Sequence, residues 1–115
     1  MRIASAGRIA ALVLALGTAA QADTVAVDAK GMTLYSFDSD SDGKPTCYDG
    51  CAANWPPYLG QTGETRGEGW TLVERTDGSM QWAYDGKPAY YFAGDRQAGD
   101  KNGDGRGGVW HVLTE

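Results

Sequence analysis

Hydrophobic and polar residues alternate along most of the chain beyond residue 23, and this period of two predicts β-strands. The alternating segments are short, rich in valine, threonine and aromatic residues, and bounded by glycine, aspartate or proline. They are TVAVDA (24–29), MTLYSF (32–37), WTLVERT (70–76), MQWAYD (80–85), PAYYF (88–92) and VWHVL (109–113). The pattern predicts an all-β fold, a small antiparallel meander or sandwich-like domain.

Three dipeptides that end in glycine predict tight turns between these strands. They are Lys30-Gly31, Asp77-Gly78 and Asp85-Gly86. Asp77-Gly78 is the strongest hairpin signal, and we expect a type I′ turn there because both central residues of that turn need positive φ.

Two long connections, at residues 38–69 and 93–108, interrupt the meander, and both are rich in glycine and aspartate. Within the first, one short helical turn is predicted at residues 51–54. It should end before Pro56 and Pro57, because a residue that precedes proline avoids the helical region. The expected fold therefore has long Gly/Asp-rich loops and at most one short helix.

The first 22 residues have the composition of a secretory signal peptide. Two arginines precede an apolar run at residues 9–16, and the segment closes on AQA, an A-x-A cleavage site. We expect cleavage after Ala22, a single exported domain at residues 23–115, and a periplasmic or secreted location. No cysteine follows the cleavage site for lipid attachment, and no segment reaches the roughly 20 apolar residues of a transmembrane helix.

The chain is acidic, with a formal net charge of −5 at pH 7 over 115 residues. No basic stripe accompanies this acidity, which argues against nucleic acid or an anionic membrane as a partner. A chain of this length buries a modest core, so a covalent staple would help to stabilise it.

Cys47 and Cys51 are the only two cysteines. In an oxidising compartment, an even pair this close in sequence is most simply a structural disulfide. A redox-active pair and a metal-bound pair are the alternatives. No histidine follows as in a haem attachment site, and two thiolates with one distant histidine do not complete a zinc site.

An internal repeat becomes visible when Gly31 is aligned with Gly86. The segments GMTLYSFDSD and GKPAYYFAGD then share Tyr-x-Phe-x-x-Asp at a spacing of 55 residues. The matching pairs are Tyr35 and Tyr90, Phe37 and Phe92, and Asp40 and Asp95. Tyrosine and phenylalanine two apart share one strand face, and the aspartate lies where the strand leaves the sheet. There we expect it to accept backbone N–H groups in an Asx-type turn, or the tyrosine hydroxyl of the other copy.

In these residues the chain resembles a family of small secreted or lipid-anchored bacterial repeats with a Tyr-x-aromatic-x-x-Asp motif and unknown function. The blocks GMTLYSFDSD, CYDGCAANWPP, DGSMQWAYDGKPAYYFAGD and GGVWHV are similar to the family's recurring blocks, in the family's order. The resemblance covers essentially all of residues 23–115 and implies no particular chemistry. Such proteins are often lipoproteins, whereas this chain has no lipidation cysteine.

The stretch DSDSDGKPTCYDGC (38–51) resembles part of a calcium-binding loop. Asp38, Asp40, Asp42 and Gly43 match positions 1, 3, 5 and 6 of an EF-hand loop, and Asp49 falls at position 12. Position 12 is normally a bidentate glutamate and a strand precedes the loop, so the alternative is that these are turn residues. Calcium binding by the four aspartates is thus one hypothesis, and no other cofactor is predicted.

Four tryptophans and six tyrosines are many aromatic residues for a domain of this size. We expect them to fill the core, with an exposed ligand-binding patch as the alternative.

His111, the only histidine, alternates with Val109 and Leu113, and we expect it to be half-buried and hydrogen-bonded.

No hydrolase, metalloprotease, phosphate-loop or dinucleotide motif is present in the sequence, so we expect a protein that is not an enzyme. The leading hypothesis is a non-enzymatic envelope binding or interaction module whose partner or ligand and oligomeric state are open. The alternatives are a calcium-stabilised module and a thiol-disulfide or electron-transfer accessory protein that uses Cys47 and Cys51.

Overall fold

The computed structural model describes residues 24–115, so the predicted signal peptide (1–22) lies outside the described residues. Within them, short strands are joined by long loops. In chain order the elements are β1 (Tyr35–Phe37), α1 (Gly50–Asn54), β2 (Leu59–Gly60), β3 (Trp70–Glu74), β4 (Met80–Tyr84), β5 (Lys87–Pro88), a 3₁₀ turn (Arg106–Gly108) and β6 (Trp110–Val112). Helix α1 has five residues, so the predicted all-β class with at most one short helix is confirmed.

All pairs of these strands are antiparallel. β4 is the centre of the larger sheet and pairs with β2, β3 and β5, while β1 pairs with β6. β3 and β4 form a hairpin in which Trp70 lies opposite Tyr84 and Glu74 opposite Met80. Strands that are neighbours in the sequence therefore pair in the middle of the chain, whereas the pairing of β1 with β6 joins its early and late parts.

Two segments predicted as full strands pair mainly through isolated bridges. Residues 24–29 pair through Val25 and Val27, and residues 88–92 through Tyr90. Each segment lies where three strands converge. Around residue 26, the Ala26 N–H donates to Leu113, the Leu113 N–H to Leu34 and the Leu34 N–H to Ala26, all to carbonyl oxygens (2.8, 2.9 and 3.0 Å). A closed triangle of hydrogen bonds replaces the regular ladder.

The two Asp-Gly turns differ in type, and the prediction for the first is wrong. At Asp77-Gly78 the glycine has positive φ (89°) but the aspartate does not, and the Gly78 N–H donates to the Arg75 carbonyl (3.0 Å). That geometry is a type I turn followed by a glycine bulge. The type I′ turn is at Asp85-Gly86, where both residues have positive φ (50° and 80°), because these two residues alone connect β4 to β5.

The two copies of the repeat exchange their last strands. We define the first repeat as residues 24–60 and the second as residues 70–115. β6 of the second repeat pairs with β1 of the first, and β2 of the first pairs with β4 of the second. The hydrogen bonds at the two exchange points match: the Leu113 N–H donates to the Leu34 carbonyl (2.9 Å), and the Tyr58 N–H donates to the Ala89 carbonyl (3.0 Å). The repeats are therefore interlocked and related by pseudo-two-fold symmetry.

Two hydrophobic clusters form the core. The first cluster contains Ala26, Leu34, Trp70, Trp82, Ala89 and Leu113. The second cluster contains Tyr35, Cys47, Trp55, Tyr90 and Trp110. Neighbouring residues such as Leu34 and Tyr35 fall in different clusters because successive side chains of a strand point to opposite faces. All four tryptophans are at most 9% exposed, which favours the core role over an exposed patch.

Candidate functional site

The two copies of Tyr-x-Phe-x-x-Asp meet in the second cluster, where each tyrosine bonds to the aspartate of the other copy. The Tyr35 hydroxyl donates to Asp95 Oδ2 (2.7 Å), and the Tyr90 hydroxyl donates to Asp40 Oδ2 (2.9 Å). Both tyrosines are fully buried, and a bridge joins their backbones. These two hydrogen bonds, the crossed pairs, tie one repeat to the other.

The second oxygen of each motif aspartate accepts backbone N–H groups. The Thr46 N–H donates to Asp40 Oδ1 (2.8 Å), and the Asn102 N–H donates to Asp95 Oδ1 (3.0 Å). The Thr46 hydroxyl also donates to Asp40 Oδ1 (2.7 Å). Each aspartate thus plays both of the roles that the sequence allowed, as an acceptor for tyrosine and as an acceptor for its own loop.

The residue that follows in each loop contacts the tyrosine itself. The Gly103 N–H donates to the Tyr35 hydroxyl oxygen (3.1 Å), and the backbone of Cys47, at the corresponding position of the other loop, lowers the pKa of Tyr90 against the larger effect of burial. Two consecutive N–H groups, those of Asn102 and Gly103, therefore hold the Tyr35–Asp95 pair, one on the carboxylate and one on the hydroxyl. The pseudo-two-fold symmetry extends from the strands to the loops.

Burial dominates the electrostatics of the crossed pairs. It raises the pKa of the Tyr35 and Tyr90 hydroxyls well above the ordinary tyrosine value, and the adjacent carboxylates of Asp95 and Asp40 raise it further. Burial also raises the pKa of Asp40, although the hydrogen bonds from Thr46 and Tyr90 oppose it. The tyrosines therefore hold their protons firmly at neutral pH.

A column of stacked aromatic rings, the aromatic column, crosses the second cluster. Trp55 and Trp110 stack at its centre, with ring centroids 3.8 Å apart and planes 1° apart. Phe37 stacks on Trp110 (4.0 Å), and Phe92 covers Trp55 (4.5 Å), so each phenylalanine covers a tryptophan of the other repeat. Because both tryptophans are covered on both faces, they offer no open platform to a flat ligand.

A third tyrosine-aspartate pair lies outside the repeat motif, and it was not predicted from the sequence. The Tyr91 hydroxyl donates to Asp28 Oδ2 (2.8 Å), while Asp28 Oδ1 accepts the N–H groups of Lys30 and Met32 (2.9 Å each). Burial raises the pKa of Asp28, but these hydrogen bonds outweigh burial and the net pKa is lowered. The position of Asp28 before the Lys30-Gly31 turn was a signal for an Asx turn, whereas no spacing pointed to Tyr91.

Cys47 and Cys51 form a disulfide bond, and residues 24–115 contain no free cysteine. Cys47 is fully buried in the second cluster, whereas Cys51 is partly exposed and lies in α1. The bond therefore fastens the short helix to the aromatic column.

A groove of about 700 Å³ lies between α1 and the β3–β4 hairpin. Tyr48, Pro57, Leu59 and Asp77 are among the residues that line it. Leu59 is 49% exposed, and no other large hydrophobic side chain within residues 24–115 is exposed to this extent. The groove thus combines an apolar wall with a charged rim.

Arg75 holds the two walls of this groove in place. Its side chain is nearly buried, and the guanidinium lies over the Tyr48 ring (4.2 Å). It donates to Gln81 Oε1 (2.7 Å) on β4 and to the Cys47 carbonyl (2.8 Å) beside the disulfide. The groove is therefore built into the fold rather than formed by a loop surface.

The four candidate calcium ligands do not come together in one site. Asp38 Oδ2 lies 2.9 Å from His111 Nε2, and Asp40 is held in its crossed pair. Asp42 and Asp49 are exposed turn residues with positive φ (54° each), a conformation in which aspartate is enriched. Within residues 24–115, no group of three or more His, Cys, Asp or Glu side chains could hold a metal ion.

His111 is hydrogen-bonded as expected, but it lies at the surface and is more exposed than its apolar neighbours in the sequence indicated. Its side chain is 46% exposed and pairs with Asp38 on the surface. In β6 the flanking residues Trp110 and Val112 point into the second cluster. Alternation therefore turns His111 to the opposite face, which the first cluster does not cover at this point.

The fold and its centre define a class of protein, a small all-β domain built from two interlocked repeats that are tied by crossed tyrosine-aspartate pairs. A family model described as a secreted repeat of unknown function matches residues 18–58 and 67–114. The chain belongs to this family, which confirms the resemblance noted in the sequence, and each repeat has its own match. No curated protein and no solved structure matches the chain. Among the described residues, no helix has the length and hydrophobicity needed to cross a membrane.

Proposed function

We propose that this protein is a non-enzymatic binding module of the bacterial envelope, exported to the periplasm or the exterior. Membership of a secreted family and the Cys47–Cys51 disulfide support export, because disulfides persist in oxidising compartments. The partner is another envelope component, protein or smaller ligand.

The observation that carries the proposal is that the polar groups of the motif residues form hydrogen bonds within the domain. Both carboxylate oxygens of Asp40 and of Asp95 accept hydrogen bonds from within the domain. A general acid, general base or nucleophile needs a proton or lone pair directed at a substrate. Here the hydroxyl and carboxylate groups of the motif are directed at each other, which supports a structural rather than a catalytic role for the motif.

The groove between α1 and the β3–β4 hairpin supports a binding role for the domain. Leu59 is an exposed apolar side chain beside Pro57, and Asp49 and Asp77 provide a polar rim. Apolar anchors surrounded by a polar rim are the arrangement found at protein interfaces. Because Arg75 fixes both walls, binding there needs little rearrangement.

Site-specific photo-crosslinking tests this role. A photoreactive amino acid replaces Leu59 in the groove or, as the matched control, Thr62 in the exposed connection that follows β2. After export and irradiation in intact cells, we expect one discrete adduct from position 59 and none from position 62. The variant Ala53→Arg, which places a large charged side chain on the groove wall, should weaken that adduct. Identical products from both positions would contradict the proposal.

An enzymatic role is tested with the same exported protein. A screen of hydrolase and redox substrates is run on the wild-type chain and on His111→Ala, which removes the one exposed histidine. We expect no turnover above the background of a mock preparation. Turnover that is present in the wild type and lost in His111→Ala would show that the protein is an enzyme.

A further inference from the structure

The second repeat contains a strand for which the described part of the first repeat has no counterpart. β3 covers the outer edge of β4, where Thr71 lies opposite Ala83 and Val73 lies opposite Gln81. The backbone groups of these β4 residues face β3, because the neighbouring Trp82 directs its N–H and carbonyl to the inner strands (2.8 and 2.9 Å).

Residues 24–28 occupy the position of β4 in the first repeat. The matching hydrogen bonds are Ala26 N–H to Leu113 and Leu34 N–H to Ala26 in the first repeat, and Trp82 N–H to Tyr58 and Ala89 N–H to Trp82 in the second. Ala26 therefore corresponds to Trp82, and the flanking residues Val25 and Val27 correspond to Gln81 and Ala83. The backbone groups of these two valines therefore point to the outer edge of the first repeat. This edge corresponds to the edge of β4 that β3 covers in the second repeat.

This edge has no strand on it within residues 24–115. The bridges at Val25 and Val27 use the backbone groups of their neighbours. The Val25 N–H, the Val25 carbonyl and the Val27 N–H have no hydrogen-bond partner in this part of the chain. The Val27 carbonyl accepts a hydrogen bond from Arg66 Nη2 (2.6 Å), which replaces the N–H of a neighbouring strand. A charged side chain at an unpaired edge is a common protection against uncontrolled pairing.

The sequence explains why the position is open. When the repeats are aligned on Ala26 and Trp82, the counterpart of β3 falls at residues 14–18, inside the predicted signal peptide. Once that segment is removed, as we expect on export, the chain has no strand of its own for this edge. The Arg66 guanidinium lies over the Trp70 ring (4.1 Å), donates to the Tyr58 hydroxyl (3.1 Å) and is close to Glu115 (3.9 Å). An incoming strand therefore has to displace only the hydrogen bond from Arg66 to the Val27 carbonyl, and the guanidinium can stay beside Trp70.

We propose that the edge formed by residues 24–28 binds an extended segment of a partner protein, which adds as an antiparallel strand in the place that β3 takes in the second repeat. The incoming segment needs free N–H groups opposite Val25 and Val27, alternating apolar and polar residues, and a carboxylate that meets Arg66. Backbone pairing supplies affinity in this mode, and alternate side chains supply specificity. This proposal rests on the proposed binding role and gives it a second site, separate from the groove, and a ligand class.

The first test uses a labelled peptide with the sequence of residues 67–76, GEGWTLVERT, as a model of the incoming strand. We expect saturable binding to the exported chain by fluorescence anisotropy. A control peptide carries Thr71→Pro and Val73→Pro, which remove the two N–H groups that pair, and it should bind at least about tenfold more weakly. Equal binding of both peptides, or no binding of either, would overturn the proposal.

The second test fills the edge within the same molecule. A copy of residues 67–79, which contain β3 and its turn, is fused directly before Thr24. We expect this fusion to melt at a higher temperature, to protect the Val25 and Val27 amides from hydrogen exchange, and to bind no peptide. A matched fusion with the same two prolines should do none of these. If the amides of the first fusion exchange as fast as in the parent chain, the edge does not accept a strand and the proposal fails.

Two further outcomes would place the peptide or the partner elsewhere. If the fusion still binds the peptide as tightly as the parent chain, the peptide has displaced β3 from β4 and the proposed edge is not its site. If the parent chain forms a concentration-dependent dimer that the fusion abolishes, the edge pairs with a second copy, and the partner proposed here is wrong. A failure in any of these tests leaves the crosslinking result at Leu59 unaffected, so this proposal and the proposed function are tested separately.

Discussion

Two carboxylates lie among the aromatic residues of the second cluster, an environment that is costly for a charged group. Asp95 is 9% exposed, yet both of its oxygens have donors, the Tyr35 hydroxyl and the Asn102 N–H. A buried acceptor that loses its donor costs about 1–3 kcal/mol. The hydroxyl groups of the motif tyrosines therefore stabilise the domain in addition to their rings.

Replacing Tyr35 with phenylalanine measures this contribution. We expect Tyr35→Phe to lower the free energy of unfolding by about 1–3 kcal/mol, because the ring still packs while Asp95 Oδ2 loses its donor. Chemical denaturation followed by tryptophan fluorescence gives the value. Tyr84→Phe is the control, since this half-buried tyrosine of β4 takes no part in the crossed pairs. A double-mutant cycle with Asp95→Asn that shows no coupling would refute the interpretation.

Alkaline pH should destabilise the domain through the same hydroxyls. The folded state raises the pKa of Tyr35, Tyr90 and Tyr91, so their stabilisation is complete below the ordinary tyrosine pKa of about 10 and is lost as the pH rises above it. We expect these three tyrosines to ionise only as the protein unfolds. Phenolate absorbance and circular dichroism, recorded in one titration, test this. Ionisation of all six tyrosines near pH 10 in a folded protein would contradict it.

The repeat made part of the site predictable from sequence. It identified the tyrosines and aspartates of the motif and allowed an aspartate to accept the tyrosine of the other copy. It did not show the pair of Asp28 with Tyr91, because these residues occupy unrelated positions in their repeats. A motif reports residues that recur, whereas this pair arises once, from the way the interlocked strands bring distant residues together.

At the scale of elements, the loops are fitted closely to the aromatic column. A Cβ added at Gly103 would lie 2.8 Å from the Trp55 ring, which is itself held between Trp110 and Phe92. By contrast, a Cβ at Gly50 in α1 would meet nothing within 4 Å. Substituting alanine at these two positions therefore distinguishes the effect of close packing from the effect of removing a flexible residue.

We expect Gly103→Ala to lower the free energy of unfolding by about 1–3 kcal/mol, because neither the loop backbone nor the held tryptophan can move aside freely. Gly50→Ala should be neutral or stabilising by up to about 1 kcal/mol, since alanine favours the helix. Thermal unfolding of both variants provides the comparison. Equal shifts in the two melting temperatures would show that the loop is not packed closely on the column.

The disulfide supports α1, which is too short to persist by itself. Its cysteines are four positions apart, and closing so small a loop is worth roughly 2 kcal/mol in the chain-entropy model. We expect Cys47→Ala/Cys51→Ala to lower the free energy of unfolding by about that amount and to speed hydrogen exchange in α1. A reductant should reproduce the effect in the wild type and leave the double variant unchanged. A wild-type melting temperature insensitive to reductant would contradict this role.

Alternation predicted that most strands exist, but not which strands are neighbours. A period of two shows which face a residue lies on, and turn residues join strands that are close in sequence. β3 and β4 were therefore predictable as a hairpin, whereas the pairing of β1 with β6 was not. β2 was missed because a two-residue strand that ends in Gly60 has no readable pattern. The type of the Asp77-Gly78 turn was predicted wrongly because loop length, rather than the Asp-Gly sequence, decides the turn type.

At the scale of the whole molecule, the exchange of last strands leaves neither repeat complete. The first repeat needs β6 and Asp95 from the second, and the second needs β2 and Asp40 from the first. The buried aromatic residues of each repeat would be uncovered in its absence. The interlocked repeats are therefore expected to unfold together as one cooperative unit.

Fragments test this interdependence. Residues 24–66 and 67–115 should each be unfolded alone, and mixing them should restore the near-ultraviolet circular dichroism of packed tryptophans. A second fragment carrying Asp95→Asn, which weakens one crossed pair, should associate less tightly. A cooperative thermal transition in either fragment by itself would show that the repeats fold independently.

The first and last described residues lie side by side, since the Glu115 N–H donates to the Thr24 carbonyl (2.7 Å). The other junction between the repeats is the exposed connection at residues 61–69. The two repeats thus meet at two junctions. The connection at residues 61–69 is covalent, whereas residues 24 and 115 are joined only by a hydrogen bond. Because either junction can be the covalent one, joining residues 115 and 24 by a short glycine link and opening residues 61–69 should give a circular permutant. In this permutant the second repeat would precede the first in the chain, and the same crossed pairs would form.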